Sequence, residues 1–312
     1  MPVDDRPPST DDRSGASDAI AGSPVLVMID CRDGSHALAD IAAPQLRVDD
    51  FTVAHGDGVF ETLLVTDGVP RKPEAHLRRL AASAAAADLA APHAHVWRDA
   101  IATALRAHRA CAEIAVRLVL GRGPEGSATG VAWVHAADCS GRFDAVRRDG
   151  VDALLLERGG DAMRAARAPW LLAGVKSLSY AVNMAALRHA RRQGADDVVF
   201  VSSDGYILEG ATSNVIVARR DGEAVTLLTP PRDAGILPGT TQAALFEAAQ
   251  QRGWHSEYAL LTPDDLFAAD GVWLSSSLRL LAPVNRLDAR ALPRSPALDA
   301  ALFALLDVPR AG

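Results

Sequence analysis

This sequence has little of what several protein classes require. No apolar run among its 312 residues reaches the length that spans a bilayer, which argues against a helical membrane protein. The opening stretch, MPVDDRPPSTDDRSG, has neither a basic start nor an apolar core, so no secretory signal is expected. Cysteine is scarce. Cys31, Cys111 and Cys139 are odd in number and lack metal-ligand spacing, so free thiols in a reducing cytoplasm are expected and no metal site. Positive charge is in deficit. A net charge of −7 argues against nucleic acid or an anionic membrane as partner, and the arginines at 188–192 read as a solvated helix face. There is no internal repeat, and no low-complexity tract beyond an alanine-rich helix. What remains is 49% hydrophobic and 23% charged, a balance that can bury a sizeable core. The length suits two domains or one large one.

Residues 1–23, rich in Pro, Asp, Ser and Gly, read as a disordered leader. Structure is expected to begin with a strand over 25–29. The Gly56-Asp57-Gly58 triplet marks a backbone that turns tightly or approaches something closely, before a strand over 60–65. His76-Leu77-Arg78-Arg79-Leu80 opens an expected helix to about Leu89. Arginines in a first helical turn oppose the helix dipole unless an anion is near. A second helix over 96–109 and strands over 114–120 and 131–134 complete the first half. The charged stretch 141–150 reads as the crossing between halves.

The stretch from Leu171 to Val217 organises the second half. Lys176 follows the turn-forming Gly174 and is expected to open an amphipathic helix that Gly194 stops. Strands over 198–201 and 206–208 flank the Asp204-Gly205 turn. The return strand ends in Glu209-Gly210. A lysine and a carboxylate so framed suit pyridoxal phosphate, where an amine condenses with the aldehyde and a carboxylate faces the pyridine nitrogen. A solvated lysine and an edge-strand charge fit this stretch equally. Thr240 and Thr241 precede a helix expected from Gln242. They can cradle a phosphate, or Thr240 can be an ordinary N-cap. Ser275-Ser276-Ser277, at a strand end, can bind an anion or cap a turn.

Taken together, GDGVFET at 56–62, HLRRL at 76–80, KSLSYAVN at 176–183, EGATSN at 209–214, ILPGTTQ at 236–242, and SSS at 275–277 with Pro283-Val284 resemble the fold-type IV, or class IV, pyridoxal-phosphate enzymes. That family includes branched-chain aminotransferases, D-amino-acid aminotransferases and aminodeoxychorismate lyases. The resemblance covers about residues 25–290 and is nearest to actinobacterial aminodeoxychorismate-lyase-like members. It implies an α/β (α+β) fold with a small domain over 24–140, a linker over 141–150 and a large cofactor-binding domain over 151–312. It also implies a homodimer acting on a small molecule. By resemblance, Lys176 is the Schiff-base lysine and Glu209 the partner of the pyridine nitrogen. Arg79, Thr240 and Thr241 hold the phosphate, and Ser276 and Ser277 lie where phosphate or substrate carboxylate binds. Phe60 and Arg122 fall on positions that commonly face the substrate. Arg279 is added as a substrate candidate for its charge, which suits a ring with two carboxylates, although a solvated loop residue fits it as well.

The departures fall on the substrate side. Ser179 stands where asparagine is frequent, and Gly239-Thr240-Thr241-Gln242 where Gly-Ile-Thr-Arg is usual. Leu278, Arg279 and Leu280 replace small residues. The loop 123–130 lacks the Arg-x-His pattern of D-amino-acid aminotransferases, which makes that activity the least expected of the three. The expected reaction is 4-amino-4-deoxychorismate lysis to pyruvate and 4-aminobenzoate. A branched-chain or other apolar aminotransferase is the alternative.

Overall fold

The computed structural model describes residues 24–307, so the expected leader, residues 1–23, lies outside the described residues. The first half contains β1 (Val25–Ile29), β2 (His36–Ala39), a short helix α1 (Phe51–Ala54), β3 (Gly58–Thr66), β4 (Val69–Pro70), α2 (Pro73–Ala86), α3 (Ala94–Ala107), β5 (Glu113–Gly121) and β6 (Val131–Asp138). Its strands form an antiparallel sheet in the order β2-β1-β6-β5-β3-β4. Alternation along β3 and β5 sends Val59, Leu63, Val65, Val116, Leu118 and Leu120 to one face. That face is covered by Leu77, Leu80 and Ala84 of α2 and by Trp97, Ala100, Ile101 and Ala104 of α3. The opposite face contributes Leu64 to a core shared with the second half.

A short helix, α4 (Asp144–Asp149), occupies the crossing. Then follow β7 (Val151–Glu157), α5 (Ala181–Arg192), β8 (Asp197–Val201), β9 (Ile207–Gly210), β10 (Asn214–Asp221), β11 (Ala224–Thr229), α6 (Thr240–Gln251), β12 (His255–Tyr258), α7 (Pro263–Phe267), β13 (Gly271–Ser276), β14 (Leu280–Leu287), β15 (Arg290–Ala291) and α8 (Pro296–Leu305). The strand order is β12-β11-β10-β13-β14-β7-β8-β9, with β15 on β14. One further pairing, Glu209 with Asn214, joins β9 to β10. It closes β10, β13, β14, β7, β8 and β9 into a ring. Glu209 therefore sits at a closure point rather than on a free edge. Among the described residues, no helix is long and apolar enough to cross a membrane.

Three local expectations are corrected. Lys176 does not open a helix, because its backbone pairs with the start of β3. Phe60 N–H donates to Lys176 O at 2.9 Å and Leu178 N–H to Gly58 O at 2.8 Å, so α5 starts only at Ala181. The helix carrying HLRRL opens at Pro73, which suits a first helical turn because proline has no N–H to satisfy there. Arg78 and Arg79 thus lie beyond the first turn, and the dipole argument for a nearby anion lapses. Finally, α6 starts at Thr240 with Gly239 as its N-cap and no capping side chain, so Thr240 is not the cap.

The two halves are pinned by a buried ion pair. Arg147 on α4 donates to both oxygens of Glu113 on β5, at 2.7 and 3.1 Å, and to Leu278 O at 2.6 Å. Only 5% and 11% of the two side chains is exposed. Arg147→Met leaves Glu113 buried without its cation. Denaturant unfolding should show a loss of about 3–5 kcal/mol, and a loss under 1 kcal/mol would remove this pair as a structural pin.

Candidate active site

The site is a cavity of about 450 Å³ between the segments around 158–180, 208–214, 234–241 and 275–277. Lys176 enters it from the irregular segment before α5, which is held by the β3 pairing and by a bond from Lys176 N–H to Ser83 Oγ at 3.2 Å. The Lys176 Nζ stands 4.4 Å from the centre of the Phe60 ring and 3.5 Å from the Tyr180 hydroxyl. Phe60 and Tyr180 meet edge to face at 5.1 Å. Burial lowers the Lys176 amine to about 8, with Glu61 and Glu209 opposing the shift and Arg79 and Arg117 adding to it.

Glu209 reaches the cavity from β9. Burial raises its carboxyl, while Arg158 and the Leu237 amide pull it back. Arg158 Nη1 donates to Oε1 at 3.3 Å and Leu237 N–H to Oε2 at 3.0 Å. Asn214 fixes the loop that supplies this amide by donating to Leu237 O at 2.7 Å.

At another wall, Arg79 grips Glu61 through two bonds of 2.6 and 2.8 Å and donates to Pro238 O at 2.8 Å. Glu61 is fully buried. Burial would raise its carboxyl, but hydrogen bonds from Arg79 and His76 overcome this and hold it at about 2. The other ring nitrogen of His76 faces Thr240 Oγ1 at 3.3 Å, and Thr240 Oγ1 lies 3.4 Å from Ser277 Oγ. Arg79, Thr240, Thr241 and Ser277 thus converge on the uncapped start of α6, where backbone amides favour an anion.

Of the residues nominated from sequence, Lys176, Glu209, Arg79, Thr240, Thr241, Ser276 and Ser277 all line this cavity. Phe60 lies behind the amine. Arg122 and Arg279 do not line the cavity. Arg122 is paired with Asp57 and donates to the carbonyls of Ala87 and Asp88. Arg279 is paired with the buried Asp197. Sequence reasoning gave no role to Tyr180, Glu61 or His76, although all three lie inside the motifs it used. It also passed over Arg158 and Arg117. Arg117, a charge in the middle of the apolar run of β5, was a visible signal.

The family profile described as amino-transferase class IV matches residues 58–287. A Mycobacterium tuberculosis protein named bifunctional aminodeoxychorismate lyase / D-amino acid transaminase is 49% identical over 263 residues, 81% of this chain and 89% of its own. A fold IV-transaminase structure from Curtobacterium pusillum superposes with a TM-score of 0.85 at 46% identity, covering 92% of this chain and 100% of the other. A hypothetical aminotransferase from Mycobacterium tuberculosis in a PLP-bound form gives 0.84 at 44% identity, covering 91% and 98%.

The residues present fit pyridoxal phosphate, the cofactor of this chain. An amine with a lowered pKa, a buried carboxylate and an anion cradle share one cavity. Two buried hydroxyls on its wall, Ser213 Oγ and Ser275 Oγ, have no hydrogen-bond partner among the described residues. A polar occupant would relieve that cost.

The folded-state pKa of Lys176 lies below its unfolded value, so folding sheds a proton between about pH 8 and 10.5. The resulting destabilisation is complete below pH 8 and fades as pH rises to 10.5. Cofactor-free Lys176→Met should therefore be more stable than the cofactor-free parent at pH 7, by about 2–3 kcal/mol, with the gap closing near pH 10.5. A pH-independent gap in melting curves would refute the buried-amine account. Separately, Arg79→Ala should weaken cofactor binding by about ten- to a hundredfold, as expected for charge-assisted hydrogen bonds. Arg78→Ala should change it little, because Arg78 is exposed on α2. Equal losses in a cofactor titration would mean that Arg79 does not face the phosphate.

Proposed function

This chain belongs to the class IV amino-transferase family, and on that premise we propose that it is a 4-amino-4-deoxychorismate lyase, releasing pyruvate and 4-aminobenzoate. The product would serve folate synthesis in the cytoplasm, and the working unit would be a homodimer. Both the dimer and its location rest on the family resemblance.

Pyridoxal phosphate, when bound, supplies an aldehyde that captures amines and a ring that accepts electrons. The chain's residues then have distinct tasks. Lys176 anchors the aldehyde end, and its lowered pKa lets the amine take and return the α-proton near neutral pH. Glu209, raised by burial but held by Arg158, would stand at the ring-nitrogen end of the bound cofactor and would hold or share a proton there. Tyr180 keeps its hydroxyl beside the Lys176 nitrogen and fixes the direction of its approach. Arg79 and the start of α6 hold the phosphate end. Phe60 closes the space behind the amine against water.

Lysis and transamination both begin with removal of the α-proton, so these residues serve either. The observation that carries the lyase reading is the polar, cationic lining of the cavity. Arg164, Thr212 and Ser276 line it, suiting a substrate with two carboxylates better than an aliphatic side chain. Arg122 and Arg279 no longer support the reading, since both are spent on aspartates. Arg117, although not a lining residue of the cavity, lies close to the amine's aromatic neighbour. Its guanidinium lies 4.3 Å from the centre of the same ring that Lys176 touches, without an ion-pair partner among the described residues. Loss of pyruvate leaves an aromatic ring, so the chain supplies mainly orientation and proton transfer.

Transamination is the second reading. It is favoured by the Mycobacterium tuberculosis relative, whose name couples aminodeoxychorismate lyase with D-amino acid transaminase. The loop 123–130 lacks an Arg-x-His pair, so a D-specific reaction would need another cation for the carboxylate, and Arg117 could supply it.

Paired assays separate the readings. Aminodeoxychorismate should yield pyruvate and 4-aminobenzoate in equal amounts. D-alanine or L-leucine with 2-oxoglutarate should yield glutamate more slowly. Arg117→Gln should raise the KM for aminodeoxychorismate about tenfold and leave cofactor absorbance unchanged. Rapid glutamate formation without 4-aminobenzoate would discard the lyase in favour of the transaminase.

A further inference from the structure

Three arginines line the cavity, and two of them are committed. Arg79 is held by Glu61 and Pro238 O at the end of the cavity assigned to the phosphate, and Arg158 is paired with Glu209. The third, Arg164, has no ion-pair or hydrogen-bond partner for its guanidinium among the described residues. The nearby Asp161 is not available to it, since that carboxylate takes Arg167 and the Met163 amide.

The position of Arg164 is built by its neighbours. Its side chain lies flat on Gly160, where an added Cβ would stand 2.9 Å from the guanidinium carbon. Gly160 also has φ +84°, in the left-handed region that favours glycine. Its loop is tied to the turn after β8. Ser203 N–H donates to Gly160 O, and Asp204 accepts from the Ala162 amide, both at 3.0 Å. Arg164 starts the 3-10 turn Arg164–Arg167 that leads to Trp170. Trp170 also lines the cavity, yet 76% of it is exposed. A cation without a partner and an open indole thus both line the cavity.

We propose that Arg164, laid on Gly160, recognises the ring carboxylate of a cyclic substrate, with the ring against the exposed indole of Trp170. The inference rests on the reading of a carboxylate-bearing ring as substrate, and it adds a residue that specifies that ring. A guanidinium binds a carboxylate through two parallel N–H donors, and an indole face accepts a flat ring. Arg164 acts on the part of the substrate remote from Lys176. Its loss should therefore weaken binding without touching the cofactor.

The test is calorimetric titration of the holoenzyme with two probes, 4-aminobenzoate and aniline, which differ only in the carboxylate. The parent should bind 4-aminobenzoate about tenfold or more tightly than aniline. Arg164→Gln should remove that preference, with aniline binding and cofactor absorbance unchanged. Arg164→Lys should restore part of it. Gly160→Ala, which displaces the guanidinium, should behave like a weaker Arg164→Gln. Trp170→Leu should weaken both probes. Parent protein that binds the probes equally or not at all, or Arg164→Gln with undiminished preference, would overturn the proposal. A parent that shows the preference but makes no 4-aminobenzoate from aminodeoxychorismate would sink the lyase reading and leave Arg164 as a carboxylate site.

Discussion

Everything at the site depends on one short pairing between the halves of the chain. Gly58 and Phe60, at the start of β3, exchange backbone bonds with Lys176 and Leu178. The contact is close enough that a Cβ at Gly58 would meet Leu120 O and Leu178 Cδ1, each at 2.7 Å. Only glycine allows this approach. The pairing draws the lysine out of helical geometry and sets its amine against Phe60. It also brings Glu61, one residue further along β3, to the same junction. A strand from the first half thus positions the reactive group of the second.

The site is costly to build. Glu61 and Glu209 are carboxylates in low-dielectric surroundings, and Lys176 is an amine in the same state. Desolvation of such groups costs several kcal/mol each unless partners repay it. Glu61 is repaid in full by Arg79 and His76, and its carboxyl falls to about 2. Glu209 is repaid only in part, and Lys176 hardly at all, so burial wins at both. The structure thus separates a charge that only holds from two groups left able to exchange protons. This division is the physical basis for assigning chemistry to Lys176 and Glu209 and support to Glu61.

The same division governs the arginines. The chain has many more arginines than lysines, and most of those near the cavity are consumed by carboxylates or carbonyls. Arg117, beside the Phe60 ring, and Arg164, on the cavity wall, are exceptions, and their spare charge is the basis of the proposed preference for an anionic substrate. The scaffold behind them is ordinary packing. Two helices cover one face of the antiparallel sheet, and a closed ring of strands carries Glu209 at its seam.

The sequence by itself determined the class of chemistry and most of the elements. Motifs such as KSLSYAVN and EGATSN name their residues directly, and alternation or turn signals locate the strands around them. It also flagged Gly56-Asp57-Gly58 as a close approach, which Gly58 makes. It misplaced Lys176 on a helix, because local amphipathicity cannot register a pairing with residues more than a hundred positions away. It nominated Arg122 for substrate from its position in the resemblance and Arg279 from its charge. Their partners, Asp57 and Asp197, lie 65 and 82 positions away, so only the folded chain brings each pair together. It overlooked Arg164 for the converse reason. A guanidinium without a partner is a property of the space around it, and that space is formed by Gly160, the Asp204 turn and the cavity wall. Residue type is local and legible, whereas burial and partnership, which decide whether a charge binds, reacts or merely holds, exist only once the chain has folded.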